Sequence, residues 1–362
     1  MDAEDRGERD TRASGAPGWR SIDAALASLY GGQEPARFGT AIRHALGGPD
    51  PLDGISAYRR TAPVPHWHFV TYGLSELYEK DSDDPATSGY GFELTLRLRR
   101  ADGAGEPPSW ALHFLQNLAR YVFSSGNAFA AGHHVDLNGP IALDAATAIR
   151  AVAFAPDPEL GPIDTPFGRL AFLQVVGITL DELRALKAWN AAGLLDLLRA
   201  RLPLLLTDLD RASSLADPAF AAAVAERTAA EGSSTGRLFL SEASFRVRRT
   251  PGSRRRLELV LGATGARELR AVLPGRLPRG RGLTLITPRA RIELVPGTPA
   301  GWRAEGEDRL VVTLPPDAAL ALVHALPERA GTIPLPGLDD AELAVEKSLI
   351  RDRDGRVVEE IG

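Results

Sequence analysis

Alternation of apolar and polar residues marks the clearest strand of the chain, at residues 90–98 (YGFELTLRL). Apolar side chains recur at every second position, and Glu93, Thr95 and Arg97 occupy positions between them. Because successive side chains of a strand point to opposite faces, this period of two separates an apolar face from a polar one. The pattern predicts a half-buried strand.

Two further segments predict strands that are covered on both faces. Residues 167–178 (FGRLAFLQVVGI) form an almost continuous apolar run, as in strands of sheets with two buried faces. In residues 66–72 (HWHFVTY), Trp67 and Phe69 lie on one face, while His68 shares the other with further apolar residues. We therefore expect this strand to be buried on both sides as well.

Helices are predicted from spacing and from end signals. Apolar residues at helical spacing predict a helix over residues 110–123. Thr179 and Glu182 have the spacing of a capping box, which predicts a helix that begins there and ends at Gly193. Residues 20–45 predict two short helices separated by a Gly-Gly turn.

The small and polar residues 228–236 (TAAEGSSTG) mark a change in the character of the chain. Beyond them the sequence predicts one helix and several short strands, namely a helix at 317–326 and strands at 237–247, 257–261, 283–287, 291–295 and 309–314. The predicted class is α+β, with a cleft between two domains. The predicted limits are a disordered tail at 1–18, a larger mixed α/β domain at 19–230, a linker at 231–236 and a smaller sheet-rich domain at 237–362.

Composition excludes some classes of function. A length of 362 residues favours two domains, and the formal charge of −5 argues against nucleic acid as a partner. The chain has no cysteine, hence no disulfide and no thiolate nucleophile or ligand. No apolar run approaches the ~20 residues of a membrane helix, so we expect no membrane partner. The charged first residues do not resemble a signal peptide, and a cytoplasmic location is the simplest expectation.

The histidines are the main candidates for a chemical site. His66 and His68 share a strand face at a spacing that could supply two zinc ligands, with His133, His134 and Asp136 as the other candidates. The alternative is that the first two are core residues held by hydrogen bonds, and the buried character of their strand favours this alternative. We therefore expect neither a metal nor a cofactor.

Motifs of catalysis and of phosphate binding are absent from the sequence. There is no G-x-S-x-G, S-x-x-K or P-loop pattern, and Glu76 and Glu93 are only a conceivable acid–base pair. The basic stretch 246–256 (RVRRTPGSRRR) could be a phosphate-binding arm or a solvated hairpin with a Thr-Pro-Gly-Ser turn. No aromatic residue lies among its arginines to stack on bases, so the hairpin is favoured. We therefore expect that the protein is not an enzyme.

Six blocks of sequence, in this order and at this spacing, resemble the Suppressor of Fused family. They are GGPDPLDGISAYR (47–59), HWHFVTYGLSELYE (66–79), GYGFELTLRL (89–98), LARYVFSSGNAFAAGHHV (118–135), TPFGRLAFLQVVGITLDEL (165–183) and WNAAGLLDLLR (189–199). The resemblance covers about residues 25–210 and continues more faintly beyond them.

The resemblance implies two domains that close on each other and a function in binding, without catalysis. In animal members an extended peptide of a Gli-type transcription factor lies in the cleft and pairs with strand edges of both domains. Those members thereby hold the factor inactive in the cytoplasm. This chain is therefore expected to bind a protein or an extended peptide.

Four residues are implied to contact the partner. Tyr121 matches a family position that contacts the peptide. Arg237–Ser241 would offer the strand edge of the second domain, with Leu238 and Leu240 facing a pocket. His133 stands where the animal proteins carry an aspartate, so a titratable imidazole replaces a fixed negative charge.

The loss of this aspartate and an Arg- and Ala-rich composition of bacterial character favour a partner other than the animal one. Bacterial relatives of the family are associated with toxin systems, where they act as immunity proteins. The leading hypothesis is thus a protein that neutralises a toxin domain. The alternatives are sequestration of a transcription factor, and a metal-dependent hydrolase that uses His66, His68, His133 and His134.

Overall fold

The computed structural model describes residues 15–40, 42, 44, 47–101, 103, 105–249, 255–351 and 356–362. The chain forms two compact units: residues up to Leu183 together with Ala191–Ala216, and Arg184–Asn190 together with Asp217–Gly362. The predicted domain limits, with a linker at 231–236, stay a prediction. Of the predicted tail, residues 1–14 lie outside the described residues, and residues 17 and 18 belong to the first helix.

The first unit is built on one large sheet. Its strands are β1 (Ala36–Gly39), β2 (Gly54–Arg60), β3 (His66–Tyr72), β4 (Thr87–Arg99), β5 (His134–Asp136), β6 (Ile149–Pro156), β7 (Ile163–Thr165) and β8 (Gly168–Thr179). Its helices are α1 (Pro17–Tyr30), α2 (Ser109–Ser125), the start of α3 (Leu180–Ala188) and α4 (Ala191–Arg199), followed by short 3-10 turns at Pro203–Leu205 and Ser214–Ala216.

The sheet has the order β1-β2-β3-β4-β8-β6-β5, with β7 paired to β8. Its two long central strands, β4 and β8, run parallel and are buried over most of their length. Helix α2 packs its apolar side on one face of the sheet, and helix α1 packs on the other. The predictions of buried strands at 66–72 and 167–178 and of a helix at 110–123 are confirmed.

The prediction that the strand at 90–98 is half-buried is wrong. Glu93, Thr95 and Arg97 on its polar face are all fully buried. They lie on the face of the sheet that α1 covers, since Arg97 is the register partner of His68 and Thr95 that of Val70. Burial of polar groups is costly unless they find partners, and Glu93, Thr95 and both terminal nitrogens of Arg97 are hydrogen-bonded.

Two predicted helix boundaries are corrected. Where two short helices were predicted over residues 20–45, the described residues form the helix α1 up to Tyr30 and then the edge strand β1; residues 41, 43, 45 and 46 lie outside the described residues. The capping box at the start of α3 is present, because Thr179 donates its backbone N–H to Glu182 Oε2 at 3.0 Å. Gly193 does not end a helix but lies within α4, so the break comes earlier, between α3 and α4.

The second unit alternates strands with short helices. Its strands are β9 (Arg237–Phe239), β10 (Ala243–Arg249), β11 (Arg255–Gly262), β12 (Leu283–Ile286), β13 (Arg291–Pro296), β14 (Gly301–Glu305), β15 (Arg309–Leu314), β16 (Gly331–Pro334), β17 (Ala341–Glu346), β18 (Ser348–Arg351) and β19 (Val357–Ile361). Its helices are the rest of α3, α5 (Pro218–Glu231), α6 (Ala263–Val272) and α7 (Pro316–Ala325), with 3-10 turns at Leu273–Gly275 and Leu277–Arg279.

These strands form a five-stranded sheet of order β14-β15-β13-β12-β9, a four-stranded sheet of order β10-β11-β17-β16 and the pair β18-β19. One apolar core joins the two larger sheets with α6 and α7. The hairpin interpretation of the basic stretch is confirmed, because β10 and β11 pair antiparallel on either side of residues 250–254, which lie outside the described residues.

The mixed α+β class is confirmed for the whole chain. No helix among the described residues is long and apolar enough to cross a bilayer.

Candidate functional site

Strand β5 ends the large sheet of the first unit. Within the described residues it pairs only with β6, where His134 lies opposite Ala153 and Asp136 opposite Ala151. A strand in this position has one side on which another extended segment can add. Only three residues long, β5 is also the least buried strand on this side of the sheet.

Tyr121 lies on α2 and keeps 48% of its surface exposed. Its ring stacks on Phe129 at 5.4 Å between centroids, and Phe129 stacks on the fully buried Phe154 of β6 at 4.2 Å. This row of three aromatic rings leads from the core to the surface and fixes the position of the exposed ring. Phe154 belongs to β6, the neighbour of β5, so the row connects Tyr121 to the strand next to the edge.

His133 directly precedes β5 and is exposed. Its backbone N–H donates to the Ala130 carbonyl at 3.0 Å, and its carbonyl accepts from the N–H of Phe154 at 2.9 Å. Phe154, which supports Tyr121 through Phe129, therefore also holds the backbone of His133. Tyr121, through two ring contacts, and His133, through its backbone, are thus both connected to Phe154. Their role in binding a partner stays a prediction.

Strand β9 is the edge strand of the five-stranded sheet, and it pairs in parallel with β12. The Gly236 carbonyl accepts from Thr284 N–H at 3.0 Å, and Leu240 N–H donates to the Ile286 carbonyl at 2.9 Å. In a parallel pair only alternate residues bond to a given neighbour. The backbone N–H and C=O groups of Arg237 and Phe239 are therefore directed away from β12, toward the open edge.

The prediction that Leu238 and Leu240 face a pocket does not agree with the strand. Their exposed fractions are 3% and 9%, and both side chains belong to the apolar core of the second unit. Helix α6 covers this face, and the side chain of Leu240 reaches toward Gly265. Phe239 between them is 77% exposed, so it is the large apolar side chain that β9 presents to solvent. Whether the leucines contact a partner stays a prediction.

The sequence itself contains a signal that Phe239 is exposed. In the segment RLFLS (237–241), Arg237 and Ser241 lie two positions before and after Phe239, so in an extended strand all three share one face. Two polar residues on one face of a strand indicate the solvent face, even when an aromatic residue lies between them.

His66 and His68 are core residues with hydrogen-bonding partners, as the favoured alternative predicted. Both are fully buried. His66 Nδ1 lies 2.8 Å from the Val64 carbonyl, and the Tyr30 hydroxyl lies 2.5 Å from His68 Nδ1. No three His, Cys, Asp or Glu side chains come together in a metal-binding arrangement within the residues that the structure describes. The four histidines of the metal hypothesis are divided between β3 and the edge around β5.

A buried polar cluster beneath α1 was not predicted. Arg97, fully buried, donates from Nη1 and Nη2 to the two oxygens of Asp157 at 2.5 and 3.0 Å, and from Nη2 to Glu159 at 2.9 Å. Burial opposes ionisation of Asp157, but the neighbouring His68 and the hydrogen-bonded guanidinium of Arg97 outweigh it and hold the pKa of Asp157 well below its usual range. Burial and the charge of Arg97 lower the pKa of His68 to about 4. At neutral pH the imidazole is uncharged, and Arg97 is the counter-ion of Asp157.

Glu76 and Glu93 do not form an acid–base pair, because each is bound to its own set of donors. Glu93 Oε1 accepts from the backbone N–H of Gly73 and of Ser75 at 2.9 Å each, and its Oε2 accepts from the Thr71 hydroxyl at 2.7 Å. Burial, opposed by these donors, raises the pKa of Glu93 to about 7. The Glu76 carboxylate instead accepts from Lys80, Asp81 and Ser82. These contacts fix the loop between β3 and β4 and have a structural role.

A shallow cavity of about 370 Å³ lies in the second unit, where the chain passes from β9 into β10. Its lining includes Ser241, Glu242, Arg289, Glu346 and Lys347. Two acidic and two basic side chains balance each other there, so the cavity does not select a ligand of one charge.

The two units define a class of protein: an α+β fold in which, among the described residues, the edge strands β5 and β9 each pair with one neighbour. A family profile described as Suppressor of fused protein (SUFU) matches residues 48–212. Over 215 residues the chain is 40% identical to the human Suppressor of fused homolog and to the mouse one. The chain belongs to the Suppressor of Fused family. The match covers 55% of this chain but only 44% of each of these curated relatives.

Solved structures show the same fold. The crystal structure of Drosophila Suppressor of Fused aligns with a TM-score of 0.77 and covers 92% of this chain and 97% of that one, at 23% identity. A chain of the Sufu-Fu complex aligns with a TM-score of 0.54 at 32% identity, covering 56% of this chain and 95% of that one. The first alignment extends the likeness in fold over both units.

Proposed function

We propose that this chain is a non-enzymatic module that binds an extended segment of a protein partner by β-strand addition at β5 and β9. The observation that carries the proposal is that each of these strands ends its sheet within the described residues. Phe239 is an exposed aromatic side chain of β9 itself, and the exposed Tyr121 is connected through Phe129 to β6, the neighbour of β5. In strand addition, backbone hydrogen bonds provide affinity and side chains at the edge provide specificity.

The comparisons support binding of a protein partner. A relative with 32% identity has been solved in the Sufu-Fu complex, so the fold of this family binds a protein in at least one member. In the proposed arrangement one segment contacts both edges in a cleft between the domains, as the family resemblance implies. The four residues Tyr121, His133, Leu238 and Leu240 are part of this proposal, the two leucines through the strand that they anchor.

The partner that we propose is a bacterial toxin domain, which the chain neutralises in the cytoplasm as an immunity protein. The support is the association of bacterial relatives with toxin systems and the replacement of the family aspartate by His133. At this position a fixed negative charge is exchanged for an imidazole that can donate a hydrogen bond. A different side chain at this position is consistent with a different partner.

Co-expression tests this proposal. The variable C-terminal domain of a large secreted protein encoded beside this chain is expressed in a bacterial host, alone and together with the chain. We expect growth to stop with the toxin alone and to recover with the chain. The variant Arg237→Pro removes one outward N–H from β9, while Arg237→Ala keeps it, so we expect only the alanine variant to rescue growth.

Failure of the soluble, folded chain to rescue growth or to form a complex with the toxin would exclude the immunity role. Recovery of a DNA-binding protein with the tagged chain, released by Tyr121→Ala, would instead support sequestration of a transcription factor. The hydrolase hypothesis is not favoured, because the described histidines form no common site.

A further inference from the structure

The outer face of the five-stranded sheet is not uniform next to β9. Register partners share a face of a sheet, so Phe239 lies beside Ile286 of β12, and Arg237 lies beside Thr284. Phe239 is 77% exposed and Ile286 is half-buried. The two form a small apolar surface at the open edge, directly beside the outward backbone groups of Phe239.

The charge next to this apolar surface is positive. Arg237 is exposed and forms no ion pair with any carboxylate among the described residues. Glu293 of β13 is the carboxylate residue aligned with Arg237 across the sheet, through Thr284 of β12. It lies two strands away, which is ~9.6 Å at the usual spacing between strands. Glu293 is already bound to Arg291 at 3.0 Å and to Arg309 at 3.2 Å. A carboxylate supplied by the partner would therefore be a new counter-ion for Arg237.

Arg237 and Phe239 are two residues apart, so their side chains lie on the same face of β9. A segment that adds to this edge has alternate residues on that face, in parallel or antiparallel orientation. The residue next to Arg237 and the residue next to Phe239 are then also two apart in the partner. Cross-strand pairs of opposite charge and of aromatic with apolar side chains each contribute about 0.2–1 kcal/mol.

From this arrangement we propose that β9 selects an extended partner segment with an acidic residue and a large apolar residue separated by one position. The acidic side chain pairs with Arg237, and the apolar one packs on Phe239 and Ile286. Parallel addition gives the order acidic-x-apolar, and antiparallel addition gives the reverse. The inference rests on the proposed function and adds the chemistry of the partner segment to it.

Selection of displayed peptides tests the proposal without knowledge of the natural partner. A phage-displayed library of random dodecapeptides is selected on the full-length chain, and the enriched sequences are read. We expect at least tenfold enrichment of acidic and apolar residues at a spacing of two. On Arg237→Glu the acidic preference should change to Lys or Arg, and on Phe239→Ser the apolar preference should be lost. A reversal of preference cannot result from misfolding.

Matched variants control for general effects. Arg303→Glu makes the same charge change on β14, the other edge strand of the sheet, and Phe38→Ser removes the exposed aromatic side chain of the edge strand β1. Both should enrich the same peptides as the unchanged chain.

Two results would overturn the inference, and they are distinguishable. If peptides bind the unchanged chain, are lost with Arg237→Pro and show no preference that Arg237→Glu or Phe239→Ser alters, strand addition stands and the proposed motif is wrong. If the folded chain enriches no peptide, or its peptides are insensitive to Arg237→Pro, both the motif and binding at β9 are wrong.

Discussion

Replacing Glu93 by glutamine removes one titrating group from the interior of the first unit and keeps its shape. The carboxyl group is fully buried, and its pKa rises from 4.5 to about 7 because of that burial. The folded state therefore binds the proton more tightly than the unfolded state. The resulting stabilisation is complete below pH 4.5 and is lost as the pH rises through 7.

The magnitude follows from the two pKa values. A shift of this size corresponds to ~3–4 kcal/mol in total, at about 1.4 kcal/mol per pH unit. Most of it, about 2–3 kcal/mol, falls between pH 5 and pH 9. Over this range the free energy of unfolding of the unchanged chain should fall by that amount relative to Glu93→Gln. Glutamine has no proton to lose, and its carbonyl can still accept from Gly73 and Ser75.

Urea titrations at pH 5, 7 and 9, followed by tryptophan fluorescence, measure this difference. Glu76→Gln is the matched control: burial opposes ionisation of Glu76, but its hydrogen bonds lower its pKa to about 2. Its contribution is lost only as the pH falls through that value, so its difference from the unchanged chain should be constant from pH 5 to 9. A constant difference for Glu93→Gln too would refute the reasoning and show that the bound donors keep Glu93 ionised.

Three further predictions concern the core and the edges. Leu238→Ala should lower the free energy of unfolding by ~2–5 kcal/mol, whereas Phe239→Ser should change it by less than about 0.5 kcal/mol, as measured by urea denaturation; equal effects would contradict the assigned faces of β9. Asp157→Asn leaves Arg97 buried without its main counter-ion and should cost ~3–5 kcal/mol in the same assay, and a neutral effect would contradict the role of the cluster. Tyr121→Ala should weaken partner binding in calorimetry at an unchanged melting temperature, and unchanged affinity would remove Tyr121 from the site.

The spacing of apolar residues was sufficient to predict the central strands and α2, because the residues that face the core recur there at regular intervals along the chain. It could not predict that the polar face of β4 is buried. The partners of this face come from far along the chain: Asp157 is 60 residues from Arg97, and Tyr30 is 38 residues from His68. Local pattern cannot tell a solvated polar face from one that distant residues satisfy.

The residues of the candidate site came from family resemblance, and their role in binding stays a prediction. Of Tyr121, His133 and the strand after residue 236, the structure places His133 and the strand at sheet edges and Tyr121 on α2. The row of rings behind Tyr121 could not be predicted, because Phe129 and Phe154 meet it only in the folded chain. For β9 the strand was expected, but Leu238 and Leu240, which were expected to face a pocket, lie in the core, and their role in binding stays a prediction.

The central claim is that a partner adds a strand to the edge of β9. The most direct test is the affinity of the purified partner for Arg237→Pro compared with Arg237→Ala, measured by isothermal titration calorimetry. Both variants lack the arginine side chain, and proline is tolerated at an edge position whose N–H faces away from the sheet. Loss of this donor leaves a partner carbonyl unsatisfied, at a cost of about 1–3 kcal/mol, so Arg237→Pro should bind at least about fivefold more weakly. Equal affinities of the two folded variants would contradict strand addition at β9.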